Sequence, residues 1–243
     1  MEKQILTIFS LIIVACGFAE SRGVYAQNNS IISHADEYSL ALENFEKRKT
    51  RGNMEAVYRK GRIVDEKLDE LENLSEVDYA SVERKMRGFI INRNEVVFVR
   101  PNVVFFKKLS ERLGTKSDIA FFTFLGELKP DSVWSMAYIE QQTDYSGCTI
   151  YGKGILTKLY GKAKQFRKQY PSAYVTDIKE EIDEMKRKFT DGTCACGDEN
   201  GVVEEFRLFI KAFPADEITP SVKKRLGDVQ NKKILIRFNC ISG

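Results

Sequence analysis

Gly88-Phe89-Ile90-Ile91-Asn92-Arg93-Asn94-Glu95-Val96-Val97-Phe98-Val99-Arg100-Pro101 is where the character of the chain changes. Phe89-Ile90-Ile91 and Val96-Val97-Phe98-Val99 are β-branched or aromatic runs around the polar connection Asn92 to Glu95, the pattern of a β-hairpin. Pro101 then suits the first turn of a helix that carries Val104, Phe105, Leu109 and Leu113 and ends at Gly114.

Upstream, the apolar period is helical. Ile31, Ala35, Tyr38, Leu42 and Phe45 fall on one face of a helix expected to run to about Thr50. Beyond Gly52-Asn53, a second face collects Met54, Val57, Gly61, Val64, Leu68 and Leu71. Charged residues occupy the opposite faces, so two antiparallel helices joined by a tight turn are expected. A third helix should start at Ser75, whose hydroxyl can cap it.

Downstream, Ser117 or Asp118 opens a helix through Phe121, Phe122 and Leu125. Phe105, Phe106, Phe121, Phe122 and Phe124 form the densest aromatic cluster, which belongs in a core. Between Asp131 and Thr149 two readings stand: Trp134, Met136 and Tyr138 alternate as in a strand, while Val133, Met136, Ala137 and Glu140 fit a helical turn. Three apolar stripes follow, each on one helix: Ile155, Leu159, Ala163, Phe166 and Tyr170; Ile178, Ile182, Met185 and Phe189; Val202, Phe206, Phe209 and Phe213. Pro171 and Pro214 stop the first and third, and the pairs Asp183 with Arg187 and Glu184 with Lys188 support the second. Thr219-Pro220 opens a short helix to Leu226 and Gly227, and Ile234-Leu235-Ile236-Arg237-Phe238 closes as a strand. No internal repeat or flexible linker stands out. The expected class is α+β and helix-dominated: a helical hairpin (27–87) packed on a small part holding the β-hairpin and a C-terminal strand (88–243), together one domain over 27–243.

Residues 1–26 read as a signal peptide. Glu2 and Lys3 precede an apolar run from Ile5 to Ala19, too short to span a bilayer and closed by Glu20 and Arg22. Val24-Tyr25-Ala26 suits cleavage between Ala26 and Gln27. Ile13-Val14-Ala15-Cys16 alternatively resembles a bacterial lipobox, which would acylate Cys16 and anchor the protein in the envelope. Either route puts the chain in the periplasm or outside the cell.

Of five cysteines, Cys16 is removed or acylated by either route, leaving the thiols of Cys148, Cys194, Cys196 and Cys240. An even number in an oxidising compartment indicates two bridges. A bond between Cys194 and Cys196 would close a small strained ring across Ala195, so Cys148 and Cys240 should each take one of that pair. Each bridge should stabilise the fold by about 3 to 5 kcal/mol.

Charged residues make up 30% of the chain and the formal charge is only +3, ordinary for a globular protein and no footprint of a nucleic-acid binder. The single histidine, His34, sits at the start of a helix, which leaves the histidine-based hydrolases and zinc sites poorly supplied. No phosphate-cradling or dinucleotide loop is present, and Gly147 to Gly154 reads as a turn around a disulfide. Asp191, Asp198, Asn200, Glu204 and Glu205 miss the spacing of a calcium loop and read as turn and cap residues. Asn28-Asn29-Ser30 and Asn73-Leu74-Ser75 are glycosylation acceptors in a eukaryotic setting.

Two functional readings remain. Lys158, Lys162, Lys164, Arg167 and Lys168 gather with Tyr160 and Tyr170 on one amphipathic helix, suited to an anionic partner. Asp131, Glu140 and Asp144 lie beside Trp134, Tyr138 and Tyr145, the ingredients of a carboxylate hydrolase acting on glycans. The first reading leads: an exported, disulfide-stabilised interaction protein such as an inhibitor, immunity or envelope-associated factor, with a protein partner outside the cytoplasm, no catalysis, no cofactor, no metal and no transmembrane segment.

Overall fold

A computed structural model of the protein describes residues 31–68, 74–93, 98–130, 136–143 and 146–240. Among these the chain forms nine helices and two small sheets, an α+β, helix-dominated fold. It divides into two compact units between Asn102 and Val103.

In the first unit, α1 (31–46) buries the stripe Ile31, Ala35, Tyr38, Leu42 and Phe45. After α1, α2 (Glu55–Leu68) buries Val57, Tyr58 and Val64, with Met54 just before it. The Ser75 hydroxyl accepts the Asp78 amide and caps α3 (Glu76–Lys85). Leu71, Val96 and Val97 lie outside the described residues. The hairpin pairs β1 (Phe89–Asn92) with β2 (Phe98–Pro101) in antiparallel register, Phe89 opposite Pro101. Pro101 therefore ends a strand rather than opening a helix. Lacking an N–H, it is tolerated on an edge strand, as β2 is in this two-stranded sheet, and the next amide, of Asn102, donates to the Gly88 carbonyl at 2.9 Å. Gly61 makes room for the hairpin: a Cβ there would stand 2.1 Å from Cε2 of Phe89. The Tyr38 ring meets Phe89 edge-on at 5.3 Å, and its hydroxyl donates to the Arg87 carbonyl at 2.5 Å.

The second unit runs α4 (Val103–Leu113), α5 (Lys116–Leu128), β3 (Ile139–Thr143), β4 (Ser146–Ile150), α6 (Ile155–Gln169), α7 (Val175–Thr190), β5 (Cys194–Cys196), α8 (Glu199–Ala212), α9 (Thr219–Gln230) and β6 (Arg237–Phe238). Phe106, Phe121, Phe122 and Phe124 are buried between the first helices, and Phe121 stacks on Tyr174 at 3.8 Å. The stretch that reads both ways resolves as a strand from Ile139, paired with β4 in an antiparallel hairpin. Gly147 is accordingly in a strand and not a turn; the tight backbone comes later, at Gly152 and Gly154, both with positive φ. α9 continues through Gly227 to Gln230, and only Arg237 and Phe238 of the closing run pair as strand.

The strands are ordered β3-β4-β5-β6, with β4, β5 and β6 mutually parallel. Parallel neighbours need a long crossover, and each crossover here is a pair of helices, α6–α7 and then α8–α9. From β4 onward the second unit thus repeats a strand–helix–helix device, whose mark in the sequence is the even spacing of Cys148, Cys194 and Cys240. Counted from the paired residues Thr149 and Ala195, the buried positions Leu156 and Val202, Leu159 and Glu205, Tyr160 and Phe206, and Ala163 and Phe209 fall in step. The aliphatic pair Leu156 and Val202 and the aromatic pair Tyr160 and Phe206 match in kind; Leu159 and Glu205, and Ala163 and Phe209, do not. Disulfides join Cys148 to Cys196 and Cys194 to Cys240, so each bridge closes one turn of the device.

Candidate functional site

Glu205 occupies the place that Leu159 holds in the preceding repeat, and its carboxylate is fully buried. It accepts the amides of Gly152 (2.9 Å), Gly154 (2.8 Å) and Thr157 (3.0 Å) and the Thr157 hydroxyl (2.7 Å). The amides of Gly154 and Thr157 are orphan donors at the start of α6, whose own cap position, Gly154, offers no side chain. A negative charge there also complements the helix dipole. Gly152 comes so close to α8 that a Cβ would stand 2.8 Å from the Gly201 Cα. Glu205 is therefore an inter-repeat cap, and Asp198 caps α8 by accepting the Gly201 amide at 3.1 Å. Among the described residues no group of three or more His, Cys, Asp or Glu could hold a metal ion.

The basic helix α6 is less uniform than its sequence. Lys162 is paired with Glu127, and Lys164 reaches Asp216 at 2.7 Å. Lys158, Arg167 and Lys168 stand exposed. Burial opposes ionisation of Asp216, but hydrogen bonds from Lys164, the Ile218 amide and the Tyr160 hydroxyl outweigh it and hold the pKa below the usual carboxylate range. The cationic face expected of α6 thus narrows to Lys158, Arg167 and Lys168.

Around the end of α7 two clefts share Asp191 and Thr193. One, of about 300 Å³, is lined by Gly147, Thr149, Glu184, Arg187, Lys188 and Cys194 among others; the second, of about 410 Å³, includes Ser221, Lys224, Arg225 and Asp228. Glu184 carries both Lys188 (2.9 Å) and Arg187, while Asp183 takes Lys179 and Lys186. Arg187 therefore turns to Glu184 instead of Asp183. Arg225 is 8% exposed and donates to the carbonyls of Phe189 (3.4 Å) and Gly192, the open end of α7. Burial lowers its pKa, and its Nε is a buried donor without a partner among the described residues.

Asp131, Asp144, Trp134 and Tyr145 lie outside the described residues. Glu140 is exposed on β3, accepting from Gln142 at 3.1 Å, opposite Cys148. Tyr138 is fully buried, its hydroxyl donating to the Met136 sulfur at 2.7 Å, so it is no exposed sugar platform. Burial drives its pKa upward. Cys16, Ala26, Gln27 and both glycosylation acceptor asparagines also lie outside the described residues, and His34 sits half-buried on α1. Sequence reasoning treats Glu205 as a turn residue and gives Arg225 no role. The signal it could have used was Glu205 and Arg225 lying on the apolar faces of their helices.

The fold and these groups define a disulfide-stapled α+β protein whose buried charges cap helices. Comparison with family models, curated proteins and solved structures yields no match. Among the described residues no helix is long and apolar enough to cross a membrane.

Proposed function

We propose that this is an exported interaction protein that works through its surface, with the exposed face of α6 meeting an anionic partner in the periplasm or outside the cell. The observation that carries the reading is the covalent one: one bridge joins the parallel strands β4 and β5 and the other ties β5 to the segment just past β6, and such bonds persist in oxidising compartments. The N-terminal run Ile5 to Ala19 supplies the matching export signal. Lys158, Arg167 and Lys168 supply the cationic face.

Two measurements test it. Intact mass of protein secreted by its own cells should correspond to a chain starting at Gln27, or at an acylated Cys16, with four cysteines oxidised. A product that starts at Met1 with reactive thiols overturns the export reading. Retention on immobilised poly-L-glutamate should fall at least about tenfold in the double variant Arg167→Glu, Lys168→Glu; undiminished retention overturns the α6 surface.

A further inference from the structure

β6 forms one edge of the four-stranded sheet. The Arg237 amide donates to the Thr193 carbonyl at 2.9 Å and the Asn239 amide to the Ala195 carbonyl at 2.8 Å. Backbone groups alternate in direction along an extended strand, so those of Ile236 and Phe238 point away from β5. Among the described residues no backbone group pairs with them. Natural edges are commonly blunted by short strands, charges or coverage. This one is short and carries Arg237, yet it also displays Leu235, 83% exposed, and Phe238, 38% exposed.

Two clefts meet at Ile234 and Leu235. One is the 410 Å³ cleft beside Arg225; the other, of about 450 Å³, is lined by Val229, Ile236, Phe238, Lys232 and Lys233 together with Glu199. The segment 231–240 carries Lys232, Lys233 and Arg237 and no carboxylate. All three cations are exposed, and among the described residues none has an ion-pair partner. Asp191 and Asp228 line the first cleft and Glu199 the second, against Lys224, Arg225, Lys232 and Lys233, with Arg237 on the strand itself.

We propose that the β6 edge accepts an extended segment of a partner protein, alternating acidic and apolar side chains, as a further strand of the sheet. Main-chain hydrogen bonds to Ile236 and Phe238 provide the affinity and the clefts provide selection, the logic of strand addition. Charge selects the occupant. A second copy of this chain would set Lys232, Lys233 and Arg237 against their own equivalents, and like charges across a pair of strands destabilise it. The inference rests on the interaction-protein reading but uses a surface apart from the α6 cations.

The test uses the full, oxidised chain and a fluorescent octapeptide alternating glutamate and valine, read by anisotropy. Saturable binding is expected, weakened at least about tenfold by Ile236→Pro, which removes one outward N–H and leaves the Arg237 and Asn239 bonds to β5 intact. Methylating the peptide's backbone nitrogens should abolish binding to the unaltered protein, which keeps the test valid if the proline variant fails to fold. Lys232→Glu with Lys233→Glu should transfer preference to a lysine–valine peptide. Equal binding of acidic and basic peptides, indifference to N-methylation, or self-association abolished by Ile236→Pro overturns the proposal. Arg167→Glu with Lys168→Glu should lower poly-glutamate retention and leave peptide binding unchanged, so undiminished retention in that variant alone sinks the α6 surface and absence of peptide binding by the unaltered protein alone sinks the edge.

Discussion

The hydroxyl of Tyr174 donates to Oδ1 of Asp118 at 2.6 Å, in the buried space between the α6–α7 connection and the start of α5. The other oxygen of Asp118 accepts the Thr115 amide at 2.7 Å, closing a capping box on α5. Tyr174 reaches this position from a left-handed backbone conformation, φ 50°, while its ring stacks on Phe121. One side chain thus anchors a connection that a non-glycine residue seldom adopts.

Removing only the hydroxyl, Tyr174→Phe, leaves the stack and strips one bond to a charged acceptor. A loss of about 1.5 to 3 kcal/mol in urea unfolding is expected. A double-mutant cycle with Asp118→Asn should show strong coupling; additive effects would mean that the two groups act independently.

Glu205→Leu should cost more. Three amides and one hydroxyl lose their buried acceptor together, and leucine, present at the equivalent place in the first repeat, fits the apolar row but bonds none of them. A loss of about 3 kcal/mol or more is expected, with faster amide exchange at Gly152, Gly154 and Thr157. Unchanged exchange there would contradict the capping role.

The helices were legible because burial follows the 3.6-residue period closely: Ile178, Ile182, Met185 and Phe189 are all buried as their spacing demands. The repeat left one mark, the even spacing of Cys148, Cys194 and Cys240, 46 residues apart, but little else, since Leu159 and Glu205 or Ala163 and Phe209 share a structural place without sharing chemistry. Glu205 and Arg225 were opaque for a related reason. Their partners lie 48 to 53 and 33 to 36 residues away, so neither cap leaves a local pattern. Pro101 misled because its fixed φ suits a helix start and a strand end alike. Of the proposed surfaces, the cations of α6 were visible in sequence, but Glu127 and Asp216, which remove two of them, were not.

Acid should weaken the fold partly through Asp216. Its folded pKa lies below the ordinary value of 3.8, so its contribution is present above that value and is lost as pH falls through the folded one. Urea midpoints followed from about pH 5 to about pH 2 should drop less steeply in Lys164→Met, which removes the main bond holding the pKa down. An identical slope would show that Lys164 does not set it.

Gly61→Ala should lower stability by about 1 to 3 kcal/mol, because the added carbon collides with the Phe89 ring. Thermal melting should show partial recovery when Phe89→Leu is added. No recovery would locate the cost elsewhere in α2.

Cys148→Ser with Cys196→Ser opens a loop of 48 residues and should reduce stability by about 4 kcal/mol in the chain-entropy model. The readout is the urea midpoint beside a single-bridge thiol titration.

The two bridges share β5, with Cys194 bonded forward and Cys196 bonded back across Ala195. A covalent route therefore runs from Cys148 to Cys240 through Ala195 and bypasses all four crossover helices. Tension applied between β4 and the C-terminal segment would travel along this short cord, sparing α6 to α9 from being drawn out. A protease that cut within any of those helices would release no fragment until a reductant arrived.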